Sequence, residues 1–419
     1  MWRPTVTSPA AQLARQPRLS RSISVAQATL YGLGVTIGAG IYVLIGTTVA
    51  RAGPQTPLAF ALAAILMGLT AASFAELSAR FPVAAGEAAY VKTAFGSNAL
   101  ATAVGVLVVA IAIVSAAAIS VGSAGYVGVF VALPQTVLIV IIVLSMGGIA
   151  ALGVNKSVGF AAAMTVVEIG GLIVVVLAGL LLEPKVFTAL PEVIPPELNL
   201  PVIAGLMSAT LIAVFAFVGF EGISNIAEEV RNPARALPRA IFLTLIVSTI
   251  LYVLVAWISL ASGDRTELAH SPAPLALVFE RLTGMSAKTM SLIASVATLN
   301  GIVVQIIMSS RVLYGVAHQG GLPARFAVVS SFTHTPVFAT AFTTTLILLL
   351  ALSLPLHDLA ESTSRLTLLV FAVVNVSLAR IKYRDGRTGL DTYVAPIWVP
   401  YAGATACTGL LAADFLFLD

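Results

Sequence analysis

Long apolar runs alternate with short polar breaks along nearly the whole chain. A membrane-spanning helix needs about 20 mostly apolar residues. Eleven stretches qualify: 25–50, 56–80, 98–127, 133–153, 157–182, 201–229, 238–262, 286–317, 335–354, 363–380 and 396–417. Turn-forming residues mark the breaks, at Gly53-Pro54, Leu133-Pro134, Pro195-Pro196, Pro233, Pro323 and Pro355. The runs fill the sequence and leave no room for a soluble domain. The pattern predicts an all-α polytopic membrane protein with about 11 transmembrane helices.

The polar segments orient it. Residues 1–24 form a polar tail with Arg3, Arg15, Arg18 and Arg21, and the apolar stretch that follows lacks the short core and small-residue site of a cleavable signal peptide. With the N-terminus inside, 16 of the 22 Lys and Arg residues fall on cytoplasmic segments, as the positive-inside rule expects. The expected location is integral and multi-pass in the cytoplasmic membrane, in contact with lipid. Two connectors are long enough to act as gates. Residues 87–97 form a short amphipathic piece at the cytoplasmic face, and 263–288 form an external loop holding Pro272 and Pro274.

Two spans are weakened where they should be strongest. The first contains GVTIGAGIYVLIG at residues 34–46, although each helical Gly costs about 0.5–1 kcal/mol relative to Ala. Gly32, Gly34 and Gly46 fit close helix packing through small residues. Gly38-Ala39-Gly40, near mid-span, reads as a break, which a membrane tolerates only beside a cavity. The sixth span repeats the device, with Gly219 and Gly222 around Phe220-Glu221. Interrupted helices at corresponding positions of two halves point to a transporter built from inverted repeats. The expected division is a tail (1–24), a first repeat of helices 1–5 (25–182), an external loop (183–200), a second repeat of helices 6–10 (201–380), and a cytoplasmic loop with helix 11 (381–419). A broken helix offers free N–H groups to a carboxylate and free carbonyls to an ammonium group. An α-amino acid carries both charges.

Charge and composition narrow the chemistry. The chain is 59% hydrophobic and 10% charged, with a net charge of +4 and no basic cluster that would suit nucleic acid. Cys407 is the only cysteine, and the four histidines have no ligand spacing, so neither a disulfide, a metal site nor an enzyme is expected, and no cofactor beyond a coupled proton. A channel would need a polar lumen, which these spans lack. Within the spans, Glu168 stands alone in AAAMTVVEIGGLIVVVLAG. Buried carboxyls of this kind are costly and functional by default. Glu168 reads either as a structural hydrogen-bonding group or as a proton-coupling residue. Glu221 lies in the second break, where it stabilises unwound backbone or binds a cation. Glu76, Glu228, Glu229 and Arg311 read as an internal gate or as anchors of helix ends.

Four ordered motifs, GVTIGAGIYVLIG, FAELSARFPVAAGEAAYVKTAFG, FAFVGFEGISNIAEEVRNPARALPRAI and SSRVLYGVAHQGGLP, together resemble the amino acid–polyamine–organocation (APC) superfamily of permeases, and most of all its cationic amino acid transporter-like bacterial branch. The resemblance covers helices 1–10. It implies the five-plus-five inverted-repeat fold of the LeuT type with helices 1 and 6 broken. It implies a carboxylate site at Ile37, Gly38, Ala39 and Gly40, with Thr36 just before, and an amino and side-chain site at Phe215, Ala216, Phe217 and Val218, beside Glu221. Ala117 and Ala118 of helix 3 would line the pocket, and Ser295 and Thr298 of helix 8 would lie near the cation position of sodium-coupled relatives. Where some proton-coupled relatives carry a helix 5 lysine, this chain has Glu168. The expected function is amino acid transport by alternating access, by proton symport or, alternatively, by exchange of amino acids or polyamines.

Overall fold

A computed structural model describes residues 21–38, 40–83, 86–152, 158–188, 193–195, 197, 199–318, 321–385 and 392–417. Most of the N-terminal tail and Ala39 lie outside the described residues. Each expected span coincides with a helix or a helix pair. The first is split into α1 (Val25–Ile37) and α2 (Ile41–Ala52). Then come α3 (Thr56–Arg80), the short α4 (Gly86–Phe95), α5 (Asn98–Gly128), α6 (Gln135–Ala151) and α7 (Val158–Leu182). After the short α8 (Lys185–Thr188), the sixth span is α9 (Leu200–Phe217) followed by a 3-10 segment at Phe220–Ile226. The rest are α10 (Pro233–Ala261), α11 (Arg265–His270), α12 (Pro274–Thr283), α13 (Ala287–His318), α14 (Val337–Ser353), α15 (Leu356–Asp385) and α16 (Trp398–Phe417). Seven helical stretches among the described residues are long and apolar enough to cross a membrane by length and composition alone.

Three of the departures from the sequence pattern have a local reason. α10 starts at Pro233 rather than 238, because a first-turn proline lacks only an N–H that has no partner there anyway. α15 starts seven residues early, because its charged first turns are paired: Glu361 holds Arg51 and Arg365. The loop expected at 263–288 contains α11 and α12. The latter ends on Gly284 in the left-handed conformation at φ +68°.

The two ends of the bundle are distinct. At one end, buried Glu76 is ion-paired with Arg80 (2.5 Å) and Lys382 (2.7 Å) and accepts from Ala395 N–H (2.8 Å), while Arg380 and Arg384 bond the carbonyls of Ala94 and Thr93 at the end of α4. Glu76 therefore anchors helix ends, with Arg80 and Lys382 as its partners. The chain before α1 pairs with the chain after the 3-10 segment, through Ile23 N–H to Glu229 O (3.0 Å) and Arg231 N–H to Ile23 O (2.9 Å). At the opposite end, Arg51, Glu361, Arg365 and Asp414 form a network that fastens α16 to α15.

Candidate functional site

Helix 1 stops at Ile37 and resumes at Ile41. Helix 6 stops at Phe217; Val218 is extended and Gly219 sits at φ +130°, a conformation in which a side chain is strained. The two interruptions press on each other. A β-carbon on Gly40 would lie 2.2 Å from the Ala216 Cα, and one on Gly219 would lie 2.9 Å from Thr36 N and from the Val35 carbonyl carbon. Gly40 and Gly219 are thus the points where one backbone crosses the other. The weakened sequence of helix 1 is explained by this crossing.

Breaking a helix strands carbonyls that would otherwise accept from the residue four ahead. Thr36 O loses Gly40 N–H, and Ala216 O loses Phe220 N–H. One hydroxyl serves both: Tyr252 of α10 lies 2.9 Å from each carbonyl. It is fully buried, with its ring against Phe217 (5.1 Å) and Phe60 (5.9 Å). A second relay holds α2: Tyr42 donates to the backbone carbonyl of Glu168 (2.6 Å), Tyr126 to that of Tyr42 (2.5 Å), and Leu275 N–H donates to Tyr126 (3.3 Å).

The Glu168 side chain reaches the helix 1 break. Its Oε2 lies 3.3 Å from where a Gly38 β-carbon would sit, as does the carbonyl of Ala297. Its Oε1 accepts from the Asn300 amide at 3.3 Å. Carboxyl, amide and carbonyl converge on Gly38. Ser295 and Thr298 are not part of that group. Thr298 bonds Ser123 of α5 (3.0 Å) and the Ala294 carbonyl (2.8 Å). The Ser295 and Thr36 hydroxyls are buried with no hydrogen-bond partner among the described residues.

The remaining expected residues divide by face. Ala117, Ala118 and Phe215 fall in one buried apolar cluster with Val43 and Leu44 of α2. Phe217 turns the other way, to Tyr252, and Ile37 belongs to that second cluster. Ala216 provides the crossing point. Val218 and Glu221 line a void on the Glu76 side of the breaks, and Glu221 Oε2 accepts from Gly219 N–H at 2.8 Å.

That void measures about 30 Å³ and also meets Val35, Glu87, Gln305 and Thr367. Glu87, on the short α4 outside the spanning segments, is pushed up to about 7 by burial. A far larger cavity of about 450 Å³ opens at the opposite end, lined by Val43, Gly46 and Thr47 of α2, Gly122 of α5 and Pro272 and Pro274 of the loop before α13. The larger cavity reaches α2 at Val43, two residues past the helix 1 break, and lies at the end of the bundle away from Glu76.

Tyr252, Asn300, Glu87 and Gln305 escaped the sequence reading. Tyr252, Asn300 and Gln305 are polar groups in apolar runs, which must find a partner; the sequence carries that signal but not the partner, whereas Glu87 sits in an amphipathic connector that carries no such signal.

The model of the amino acid permease family matches residues 23–418. The chain is 30% identical over 388 residues to the vacuolar cationic amino acid transporter 2 of Arabidopsis thaliana, covering 87% of this chain and 60% of that protein. It thus spans less than two thirds of that relative's length. It is 27% identical over 390 residues to the branched-chain amino acid permease BcaP of Bacillus subtilis (strain 168), covering 88% of this chain and 82% of the other. Among solved structures, a manganese transporter of Eremococcus coleocola superimposes with a TM-score of 0.65 at 14% identity, covering 94% of this chain and 86% of that one. At that identity the likeness is one of fold, the five-plus-five repeat with helices 1 and 6 broken.

Proposed function

This chain belongs to the amino acid permease family, and we propose that it carries amino acids across the cytoplasmic membrane by alternating access, coupled to protons. The crossing of the two breaks is the observation that supports this most directly. The first turn of α2 supplies N–H groups with no intrahelical acceptor and the positive end of the helix dipole, which suits a carboxylate. The partial negative charge at the end of α1 and the carbonyls around Phe215–Val218 suit the α-ammonium group. Backbone does the binding, so the site needs no charged side chain facing the zwitterion.

Alternating access draws support from the asymmetry of the ends. A 450 Å³ entrance stands on one side, and the Ile23–Glu229 pairing closes the other. With the N-terminus inside, this is an outward-open arrangement, and apolar side chains such as Ile65 and Leu181 on the outer surface meet lipid. Opening inward requires the α1–3-10 pairing to part. Glu168 suits proton coupling because it sits on the helix 1 break, where any rearrangement of that break changes its surroundings. A carboxyl that ionises on one side and is protonated on the other moves one proton per cycle.

The test is uptake into proteoliposomes of a mixed pool of labelled amino acids, with and without an inward proton gradient, for wild type and Glu168→Gln. Gradient-driven accumulation that the substitution abolishes is the expected result. Uptake that ignores the gradient and appears only after preloading with substrate would replace symport with exchange and leave Glu168 structural.

A further inference from the structure

The end of the bundle that carries Glu76 buries more positive charge than negative. Arg80 of α3 and Lys382 of α15 have side chains only 5% and 8% exposed, and both converge on one carboxylate, that of Glu76. That carboxylate is fully used. Its Oε1 faces Arg80 Nη2, and its Oε2 takes Lys382 Nζ and the Ala395 N–H. Arg80 Nε is buried and finds no hydrogen-bond partner among the described residues. Other charged groups of α15 at this end are committed elsewhere. Asp385 is held by Arg384 at 2.6 and 2.9 Å, and Arg380 bonds the Ala94 carbonyl with its guanidinium over the Phe95 ring. Glu76, Arg80 and Lys382 together thus keep one positive charge in excess. A buried charge without a counter-charge is costly, and an unpaired buried donor in a native protein points to a missing water or ion.

We propose that this cluster is a binding site for the phosphodiester of an anionic phospholipid. Its position suits a headgroup. Ala395, whose carbonyl also takes Lys382 Nζ, lies three residues before Trp398, where α16 begins. The positive end of that 20-residue helix therefore stands next to the two cations. Ile397, Trp398 and Tyr401 at the same end are each more than half exposed. Exposed aromatic rings of this kind sit at headgroup depth, and basic pockets between helix ends hold anionic headgroups. The chemistry also matches. Phosphate oxygens accept charge-assisted hydrogen bonds from Arg and Lys, and one phosphodiester brings one negative charge for the one positive charge left over. A water would serve Arg80 Nε and leave that charge uncompensated. A zwitterionic phospholipid carries its own cation and adds no net charge. The site is separate from the crossed breaks, so it does not depend on which substrate is carried.

The experiment uses the full chain, purified and delipidated in a neutral detergent, with melting followed by intrinsic fluorescence. Dioleoylphosphatidylglycerol, dioleoylphosphatidylcholine and inorganic phosphate are added separately. Phosphatidylglycerol at about 100-fold above its Kd should raise the melting temperature by about 2–3 °C, and the other two should leave it unchanged. Arg80→Gln and Lys382→Gln should each lose most of that rise, while Arg384→Gln, whose guanidinium is taken by Asp385, should keep it. Each rise is measured against the same variant without lipid, which removes the direct cost of the substitution. If Arg80→Gln cannot be purified, Lys382→Gln decides. An equal rise with phosphatidylcholine overturns the site, as does a phosphatidylglycerol rise that survives the substitutions at Arg80 and Lys382. Loss of the rise in Arg384→Gln as well overturns it too, since the lipid then answers to the basic face as a whole. Inorganic phosphate matching the lipid overturns the phospholipid assignment in favour of a free anion.

Discussion

Replacing Tyr252 with Phe tests whether one hydroxyl holds the two breaks. The ring contacts to Phe217 and Phe60 survive the change, so little packing is lost. What disappears is the donor lying 2.9 Å from both Thr36 O and Ala216 O. A buried carbonyl left unsatisfied costs about 1–3 kcal/mol. Because the two acceptors share one proton, the expected total is about 2–3 kcal/mol rather than the full cost of two separate bonds. For a chain of 419 residues, an unfolding entropy of about 2.1 cal/mol/K per residue turns each kcal/mol into roughly 1 °C. Tyr252→Phe should therefore melt about 2–3 °C lower, by intrinsic fluorescence of the purified protein in detergent. Tyr126→Phe is the internal comparison. It removes the donor to one carbonyl, that of Tyr42, and the acceptor of Leu275 N–H, and should cost about as much. Uptake by Tyr252→Phe should fall as well, because the crossing it secures is the proposed binding site. Melting and uptake both at wild-type values would refute the reasoning, and would mean that the stranded carbonyls are satisfied without the tyrosine.

Three further outcomes follow from named contacts. Gly40→Ala places a β-carbon 2.2 Å from the Ala216 Cα, and backbone cannot yield as a side-chain tip does; a loss of about 1–3 kcal/mol or more and abolished uptake are expected, read by melting and transport. Glu87 has a folded value of about 7 against the usual 4.5, raised by burial. Its contribution to stability is thus complete below about pH 4.5 and is lost as pH rises through about 7, by at most about 3 kcal/mol; melting should fall between pH 5 and 8, and Glu87→Gln should flatten that fall. Asp414→Asn removes the charge that Arg365 holds at 2.5 and 3.0 Å. With Arg365 partly exposed, the expected loss is about 1–2 kcal/mol, seen as earlier proteolysis of α16 in detergent.

How far the sequence could be read depended on whether a feature was local or relational. A helix break is local. Gly38 and Gly40 weaken one turn, Gly219 permits one positive φ, and both breaks stand where the glycines predict them. Which segments share an end of the bundle was legible for a similar reason. Charge on alternate loops constrains every span between them, and Arg80 with Lys382 at one end against Arg51 with Arg365 at the other shows that alternation in contacts. What the sequence could not give is which break touches which neighbour. Gly40 reads in the sequence as part of a helix break, and its deeper reason is the Ala216 backbone 176 positions later.

The same distinction separates the two carboxyls that matter most. Glu168 was visible because it is alone among apolar residues, and isolation is a property of the sequence. Its placement on the helix 1 break, with Asn300 at 3.3 Å, adds geometry to a residue already suspected. Glu87 was invisible because its neighbours in sequence, GEAAYVKTAFG, are those of an ordinary amphipathic connector, where a carboxylate is expected to face water. It is buried because α4 folds inward beneath the 3-10 segment, and Gly86 permits this by holding φ +36° with Ser224 so close that a β-carbon would fall 2.9 Å from its hydroxyl. A glycine set against the helix 6 break thus puts the next residue's carboxyl into the void below it. That coupling ties α4, which the sequence pattern marks as a surface connector, to the helix 6 break, because the Gly86 that turns Glu87 inward is itself packed against Ser224 of the 3-10 segment.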